Sequence, residues 1–305
     1  MHKIFIDGQA GTTGLRIEQR LRERADVALL TLPEESRKDP DARRAMFAEA
    51  NAIIFCLPDD AAREAAAWAP PDTILIDAST AHRTAPGWAY GFPELGGSFR
   101  DAISKGKRIS VPGCHAGGFV ALARPLIQDG LLPADAPLTC FSLTGYSGGG
   151  KAMIADYEAP GRAKNDALAA PKQYALEQNH KHLPEMALHT GLARPPVFCP
   201  IVADYPCGME ATIPLHAQGF TRDQVLACYQ AFYENAALVR VNAAPVPQSP
   251  NAFAGRDSME LTVAGNDERL LLIARFDNLG KGASGAAVQC LNLALGAEET
   301  TGLVI

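Results

Sequence analysis

Over its first hundred residues the chain alternates between short apolar runs and polar or alanine-rich segments. The runs Lys3–Asp7, Val27–Leu32, Ala52–Leu57 and Thr73–Asp77 read as strands, and Leu15–Arg24, Asp41–Ala50 and Asp59–Trp68 between them read as helices. Strand–helix alternation with short connections predicts parallel βαβ units. A further short strand, Arg108–Val111, runs into a Pro-Gly turn, and the apolar periodicity of Phe119–Gln128 predicts a helix beyond it. The pattern then changes. Longer runs at Leu138–Thr144, Val197–Ala203, Gly208–Leu215, Ser258–Val263 and Leu270–Phe276 predict a mixed or largely antiparallel sheet, with a helix at Thr221–Glu234. The segment Gly282–Leu295 is alanine-rich with helical spacing, and Ala243–Asn251, with its prolines, reads as a surface loop. The expected fold class is α/β: an N-terminal Rossmann-like parallel sheet over residues 1–113, then an α+β domain over 114–281.

A length of 305 residues is enough for two domains with real cores. A formal charge of −6 with no basic run argues against nucleic acid as a partner. No apolar stretch approaches the ~18 residues of a membrane span. The chain enters a strand by Lys3, which argues against a cleaved leader. Seven scattered cysteines without a CxxC pair fit a reducing compartment, with neither a disulfide framework nor a zinc ribbon, so a cytoplasmic protein without a metal is expected.

The candidate chemistry centres on Cys114, in Val111-Pro112-Gly113-Cys114-His115-Ala116-Gly117-Gly118-Phe119. A thiol where a strand turns into a helix meets free backbone N–H groups and the positive end of the helix dipole, and both favour the nucleophilic thiolate. At the other end, Gly8-Gln9-Ala10-Gly11-Thr12-Thr13-Gly14 lies between the first strand and the first helix. Glycines there let the backbone approach a pyrophosphate resting on the helix N-terminus. Glu34, at the spacing of a ribose-binding acid, points to NAD; Ser36-Arg37-Lys38 directly after it offers a hydroxyl and two cations for a 2′-phosphate and favours NADP(H). Ser79 and Arg83, after the fourth strand, suit an anion, as do Ser147-Gly148-Gly149-Gly150-Lys151. His180 and His182 lack further ligands at metal spacing and are acid–base candidates together with His115; the residues alone do not choose among the three.

Taken in order, these pieces resemble the N-acetyl-γ-glutamyl-phosphate reductases in their shorter form, in the superfamily of aspartate-semialdehyde dehydrogenase and, more distantly, glyceraldehyde-3-phosphate dehydrogenase. The likeness covers nearly the whole chain. It includes Leu57–Arg63, Asp77–Arg83, Tyr90-Gly91-Phe92-Pro93-Glu94-Leu95, Pro112-Gly113-Cys114, His180-Lys181-His182-Leu183-Pro184-Glu185 and Phe276–Asn292. It implies a glyceraldehyde-3-phosphate-dehydrogenase-like fold, a dinucleotide-binding domain at 1–113 to which 282–305 returns, and a catalytic and dimerisation domain at 114–281. By the same resemblance Cys114 is the nucleophile and His180 the acid–base. Tyr174 and His182 lie on the substrate side, and Ser79 and Arg83 hold the substrate phosphate. Ser147, Gly148, Asn278, Lys281 and Gln289 lie towards the cofactor. The implied reaction is NADPH-dependent reduction of an acyl phosphate through a thioester, in arginine biosynthesis, by a homodimer or homotetramer. The alternatives are an aspartate-semialdehyde dehydrogenase, an aminoadipyl-phosphate reductase and a non-catalytic NADP-binding regulator. One departure stands out: where the longer form has Tyr-Pro-Thr after the cysteine, this chain has His115-Ala116-Gly117.

Overall fold

The computed structural model describes residues 1–305 apart from Lys164 and Gln248. The chain forms two compact units, one of 1–113 with 283–304, the other of 114–282.

The first unit opens with β1 (His2–Asp7), α1 (Thr12–Arg22), β2 (Val27–Leu30), α2 (Pro40–Glu49), β3 (Ala52–Phe55), α3 (Asp59–Ala66) and β4 (Ile74–Asp77). It continues with β5 (Ala89–Tyr90), α4 (Gly97–Lys105) and β6 (Arg108–Ser110). The six strands are parallel, in the order β2-β1-β3-β4-β6-β5. Successive residues of a strand face opposite sides, and helices cover both sides, so the central residues of β1, β3 and β4 are apolar on both faces. Ile4, Ile6, Ile54, Ile74 and Ile76 join one core with Ile17, Leu21 and Ile103. Phe5, Ile53, Phe55 and Leu75 join the other with Phe47 and Ala62. The strand order reverses at β1, between β2 and β3, and ligands of open α/β sheets bind outside the strand ends at such a switch point.

The second unit begins with α5 (Cys114–Gln128), β7 (Thr139–Gly145), α6 (Gly150–Tyr157), β8 (Lys172–Gln173), α7 (Leu183–Thr190) and β9 (Val197–Ala203). Then come β10 (Met209–His216), α8 (Arg222–Phe232), β11 (Val239–Asn242), β12 (Met259–Gly265) and β13 (Arg269–Phe276). They make a seven-stranded mixed sheet in the order β11-β12-β13-β10-β7-β9-β8. One face, with Ala211, Leu272 and Phe276, is buried; the other leaves Phe141, Val197 and Leu271 exposed. Within α5, Pro125 has no N–H for the carbonyl of Ala121, and the Tyr233 hydroxyl donates to that carbonyl at 2.8 Å. Tyr229 does the same for Leu122 at 2.6 Å. The chain ends with α9 (Gly285–Leu295), whose Ala287, Val288 and Leu291 belong to the core of the first unit.

Two expectations need correction. Helix α5 starts at Cys114, five residues before the apolar periodicity begins, because Gly117 and Gly118 hide its first turns from any pattern of side chains. The glycine run after β7 is a tight turn, Tyr146–Gly149, feeding α6, so Lys151 is a helical residue exposed to solvent.

Candidate active site

The first unit carries a cleft of about 510 Å³ at the switch point, lined among others by Asp7, Gly8, Gln9, Leu32, Arg37 and Lys38. Gly8 has φ +88°, and a Cβ there would lie 2.3 Å from the Cys56 carbonyl oxygen, so only glycine fits. Helix α1 starts at Thr12 with no side-chain cap on its first turn and no acid within it. The N–H groups of Thr12, Thr13 and Gly14 thus have no intrahelical partner and suit a pyrophosphate. The lining fits a dinucleotide: the loop Gly8–Ala10, an apolar wall of Leu32 and Leu57, and cations at the rim; Gly11, Thr12, Thr13 and Gly14 follow the loop in the chain and are not part of the lining.

At that rim Glu34 and Glu35 line the cleft beside Arg37 and Lys38. Ser36 sits half-buried in the turn Glu34–Ser36 and is not part of the lining. Sequence reasoning missed Arg43, which also lines the cleft. Its guanidinium lies 4.8 Å from the Trp68 ring centre and donates to Asp7 Oδ2 at 2.6 and 3.1 Å. Burial raises the Asp7 carboxyl above its usual range, and Arg43 offsets part of that. No local pattern links positions 7 and 43; the fold alone pairs them.

After β4, Asp77 is fully buried and organises the loop. It accepts from the Ser79 N–H (2.8 Å) and hydroxyl (2.8 Å) and lies 2.6 Å from His82 Nδ1, whose ring stacks on Trp88. Arg83 donates to the carbonyls of Val111 (2.8 Å) and Ala78 (3.0 Å). Ser79 and Arg83 are therefore held on one loop, with the Ser79 hydroxyl hydrogen directed at Asp77.

In the second unit the half-buried Cys114 is the first residue of α5, where the helix dipole favours negative charge. A Cβ on Gly282 would lie 2.9 Å from Cys114 Cβ, so glycine is required for this close approach. The next residue, His115, is buried, with Nδ1 2.8 Å from Ser142 Oγ and Nε2 2.7 Å from the Tyr174 hydroxyl. Burial, and secondarily the neighbouring His180, push the His115 pKa down to about 3. Burial and the Cys114 charge raise that of Tyr174, which keeps its phenol proton. His115 is thereby removed from the acid–base contest.

His180 and His182 both pack against it, with ring centres 5.7 and 5.6 Å away. The His182 N–H donates to His180 Nδ1 at 3.1 Å, which leaves the proton of a neutral His180 on Nε2. His182 is buried, whereas His180 lines a cleft of about 490 Å³ with Asn179, Lys181 and Pro196. Ala175 and Gln178, between Tyr174 and His180, have φ +52° and +56°. Such strain persists where surroundings over-determine it. Here the Gln178 amide clamps the backbone of Phe198 by donating to its carbonyl (2.8 Å) and accepting from its N–H (2.9 Å).

Asn278 and Ser147 also meet. Asn278 donates to Ser147 Oγ at 3.1 Å and accepts from the Gly208 N–H at 2.9 Å, with Gly148 packed beside it. Lys281 is buried a turn further on. Gln289 lies in the first unit, donating to Glu94 and Glu299. Among the described residues, no three His, Cys, Asp or Glu side chains are placed to hold a metal ion, and no helix is long and apolar enough to cross a membrane.

Residues 114–278 match the family described as semialdehyde dehydrogenase, dimerisation domain. Solved structures of like fold include aspartate semialdehyde dehydrogenase II of Vibrio cholerae complexed with ASA, at 15% identity and TM-score 0.71 over 97% of this chain and 98% of that one. Another is the aspartate semialdehyde dehydrogenase of Candida albicans with NADP, at 17% identity and TM-score 0.70 over 97% and 99%. Fold and family match together define an oxidoreductase of the semialdehyde dehydrogenase class. Within it, N-acetyl-gamma-glutamyl-phosphate reductase 2 of Pseudomonas putida is 46% identical over 98% of both chains. The protein of that name from Nostoc sp. is 42% identical over 99% of both. The chain belongs to the N-acetyl-γ-glutamyl-phosphate reductase family.

Proposed function

We propose that this protein reduces N-acetyl-γ-glutamyl phosphate to N-acetylglutamate semialdehyde and phosphate with NADPH, a step of arginine biosynthesis, through a thioester on Cys114. The observation that carries the reading is a thiol opening α5 whose charge acts on Tyr174, within a packed cluster of Tyr174, His180 and His182. The Cys114 thiolate attacks the acyl carbon, the carbon–oxygen bond to phosphate breaks, and phosphate leaves with the electron pair, taking up one proton from solvent as it departs. Arg83 carries the charge that receives that phosphate, with Ser79 beside it. When bound, NADPH supplies hydride to the thioester carbon. The tetrahedral oxyanion then re-forms its carbonyl and expels the Cys114 thiolate. His180 Nε2–H and the first-turn N–H groups of α5 stabilise the oxyanion, and a positioned acid–base contributes about 10²–10⁴-fold.

Gly8, Gly11, Thr12, Thr13 and Gly14 hold the pyrophosphate. Arg37 and Lys38 at the rim favour NADP over NAD, and the cleft they both line supports this. The protein works in the cytoplasm as a homodimer or homotetramer. The exposed apolar face with Phe141, Val197 and Leu271, within a region that matches a dimerisation domain, supports self-association.

The test runs the reaction backwards. Protein, phosphate and NADP⁺ are mixed with N-acetylglutamate semialdehyde, or with aspartate semialdehyde in a parallel cuvette, and nicotinamide absorbance is followed. Phosphate-dependent reduction with the acetylated aldehyde alone is expected. Activity with the aspartyl aldehyde alone overturns the substrate, and silence in both with NADPH still bound overturns the catalytic reading.

A further inference from the structure

His115 occupies a position where the neighbouring thiol invites an acid–base role, but its surroundings forbid one. The ring is 3% exposed, and both nitrogens are engaged by uncharged hydroxyls. The groups facing it are Ser142 on β7, Tyr174 after β8, His180 and His182 before α7, Phe198 on β9 and Cys114 on its own helix. Neither hydrogen-bond partner of the ring and none of the rings packed on it carries a carboxylate, so an imidazolium there would lose its solvation beside other imidazoles, with only the Cys114 charge to offset the loss. The phenol that His115 touches is likewise held protonated, by burial and by the Cys114 charge. A neutral imidazole and a neutral phenol at 2.7 Å form a directional hydrogen bond, and its polarity decides what the phenol can offer.

We infer that His115 is a neutral positioning residue: Ser142 donates to its Nδ1, its Nε2–H donates to the Tyr174 oxygen, and the phenol hydrogen is left to donate to the substrate. The inference rests on the proposed acyl-phosphate chemistry only for the identity of that substrate. Its content is a tautomer and an orientation. The opposite tautomer would take up the phenol hydrogen and turn Tyr174 from a donor into an acceptor, which a developing oxyanion repels. Ser142, on the buried face of the sheet, is thereby a residue behind the site, three hydrogen bonds from the substrate.

Two measurements decide the point. In protein labelled with ¹⁵N at histidine, the His115 ring is followed from about pH 5 to about pH 9, the range in which an ordinary histidine titrates. An unprotonated-type Nδ1 signal and a protonated-type Nε2 signal, both unmoved across the range, are expected; a titration to imidazolium or the reversed tautomer overturns the inference. In kinetics, His115→Gln retains a donor near the Nε2 position and is expected to keep kcat/KM within roughly fivefold, while His115→Phe loses on the order of 10- to 100-fold. In a Tyr174→Phe background, His115→Phe should cost less than roughly threefold, because the phenol it orients is already gone. Equal losses from Gln and Phe, or additive losses in the double variant, overturn the inference. NADP⁺ binding and circular dichroism confirm that each variant folds. A wild type inactive on N-acetylglutamate semialdehyde overturns the substrate reading while the nitrogen spectrum still decides the role of His115.

Discussion

Gly282→Ala tests the packing behind the thiol. The added methyl carbon would sit 2.9 Å from Cys114 Cβ, 3.1 Å from the Asp277 carbonyl oxygen and 3.3 Å from a ring carbon of Phe276. Two carbons rest comfortably at about 3.5 Å or more, so a gap of roughly 0.6 Å must open. The Phe276 ring cannot retreat, because its far edge is wedged at Gly118, where even a Cβ would lie 2.9 Å away. The displacement therefore falls on Cys114 and the first turn of α5. Overpacking of this kind costs about 1–3 kcal/mol, which lowers Tm by roughly 2–10 °C for a unit of this size. A reacting atom misplaced by about 1 Å costs about 10²-fold in rate, so kcat should fall on the order of 10- to 100-fold. Steady-state assay of the reverse reaction gives kcat, iodoacetamide labelling gives the reactivity of Cys114, and fluorescence titration gives the NADP⁺ Kd, which should stay within about twofold of wild type. A kcat equal to wild type beside a lowered Tm would refute the reasoning, since the strain would have been relieved without moving the thiol.

Cys114→Ser should abolish turnover while NADP⁺ binding survives, as measured by titration; sustained turnover sinks the thioester scheme. His180→Asn should lower kcat more than it changes KM, and a larger loss from His182→Asn would reassign the acid–base. Tyr233→Phe leaves the Ala121 carbonyl without the partner that replaces the missing Pro125 N–H, so urea melts should show a loss of about 1–3 kcal/mol. Arg37→Ala with Lys38→Ala should raise the Kd for NADPH by on the order of tenfold and leave that for NADH nearly unchanged; parallel weakening of both would remove the 2′-phosphate role. His115, with its pKa pushed down to about 3, binds no proton in the folded protein where the unfolded chain does. Its contribution is fully present above the unfolded value of about 6.5 and is lost as pH falls towards 3, at about 1.4 kcal/mol per pH unit. Urea melts between those limits should show a shallower slope in His115→Phe, and identical slopes would mean that His115 titrates normally.

Much of the framework was legible along the chain because apolar period and burial are tied together. Strands β1, β3 and β4 are covered on both faces and so read as continuous apolar runs, and β10, β12 and β13 were long enough to stand out. Short elements were not legible. Strands β5 and β8 have two residues each, which carry no period, and β11 was hidden beside the prolines that follow it. Helix α4 begins among glycines, and the start of α5 is masked by its own. At the site, Cys114, Tyr174, His180 and His182 were all singled out by type and motif. Ser142, Asp77, Asp7, Arg43 and Gln178 were given no role, because an ordinary serine, aspartate, arginine or glutamine acquires one only from what it faces.

Sequence alone determined the α/β class, the glycine loop at a strand–helix junction and the reactive residue types, because backbone propensity, hydrophobic period and side-chain chemistry are local properties. It also determined the family, through an ordered set of motifs spanning the chain. Only the tertiary structure decided that His115 is held neutral and closed off from proton transfer. His115 and His180 have the same intrinsic chemistry, and what separates them is desolvation and the two hydroxyls on the ring of His115, brought from positions 142 and 174 by the folding of the sheet.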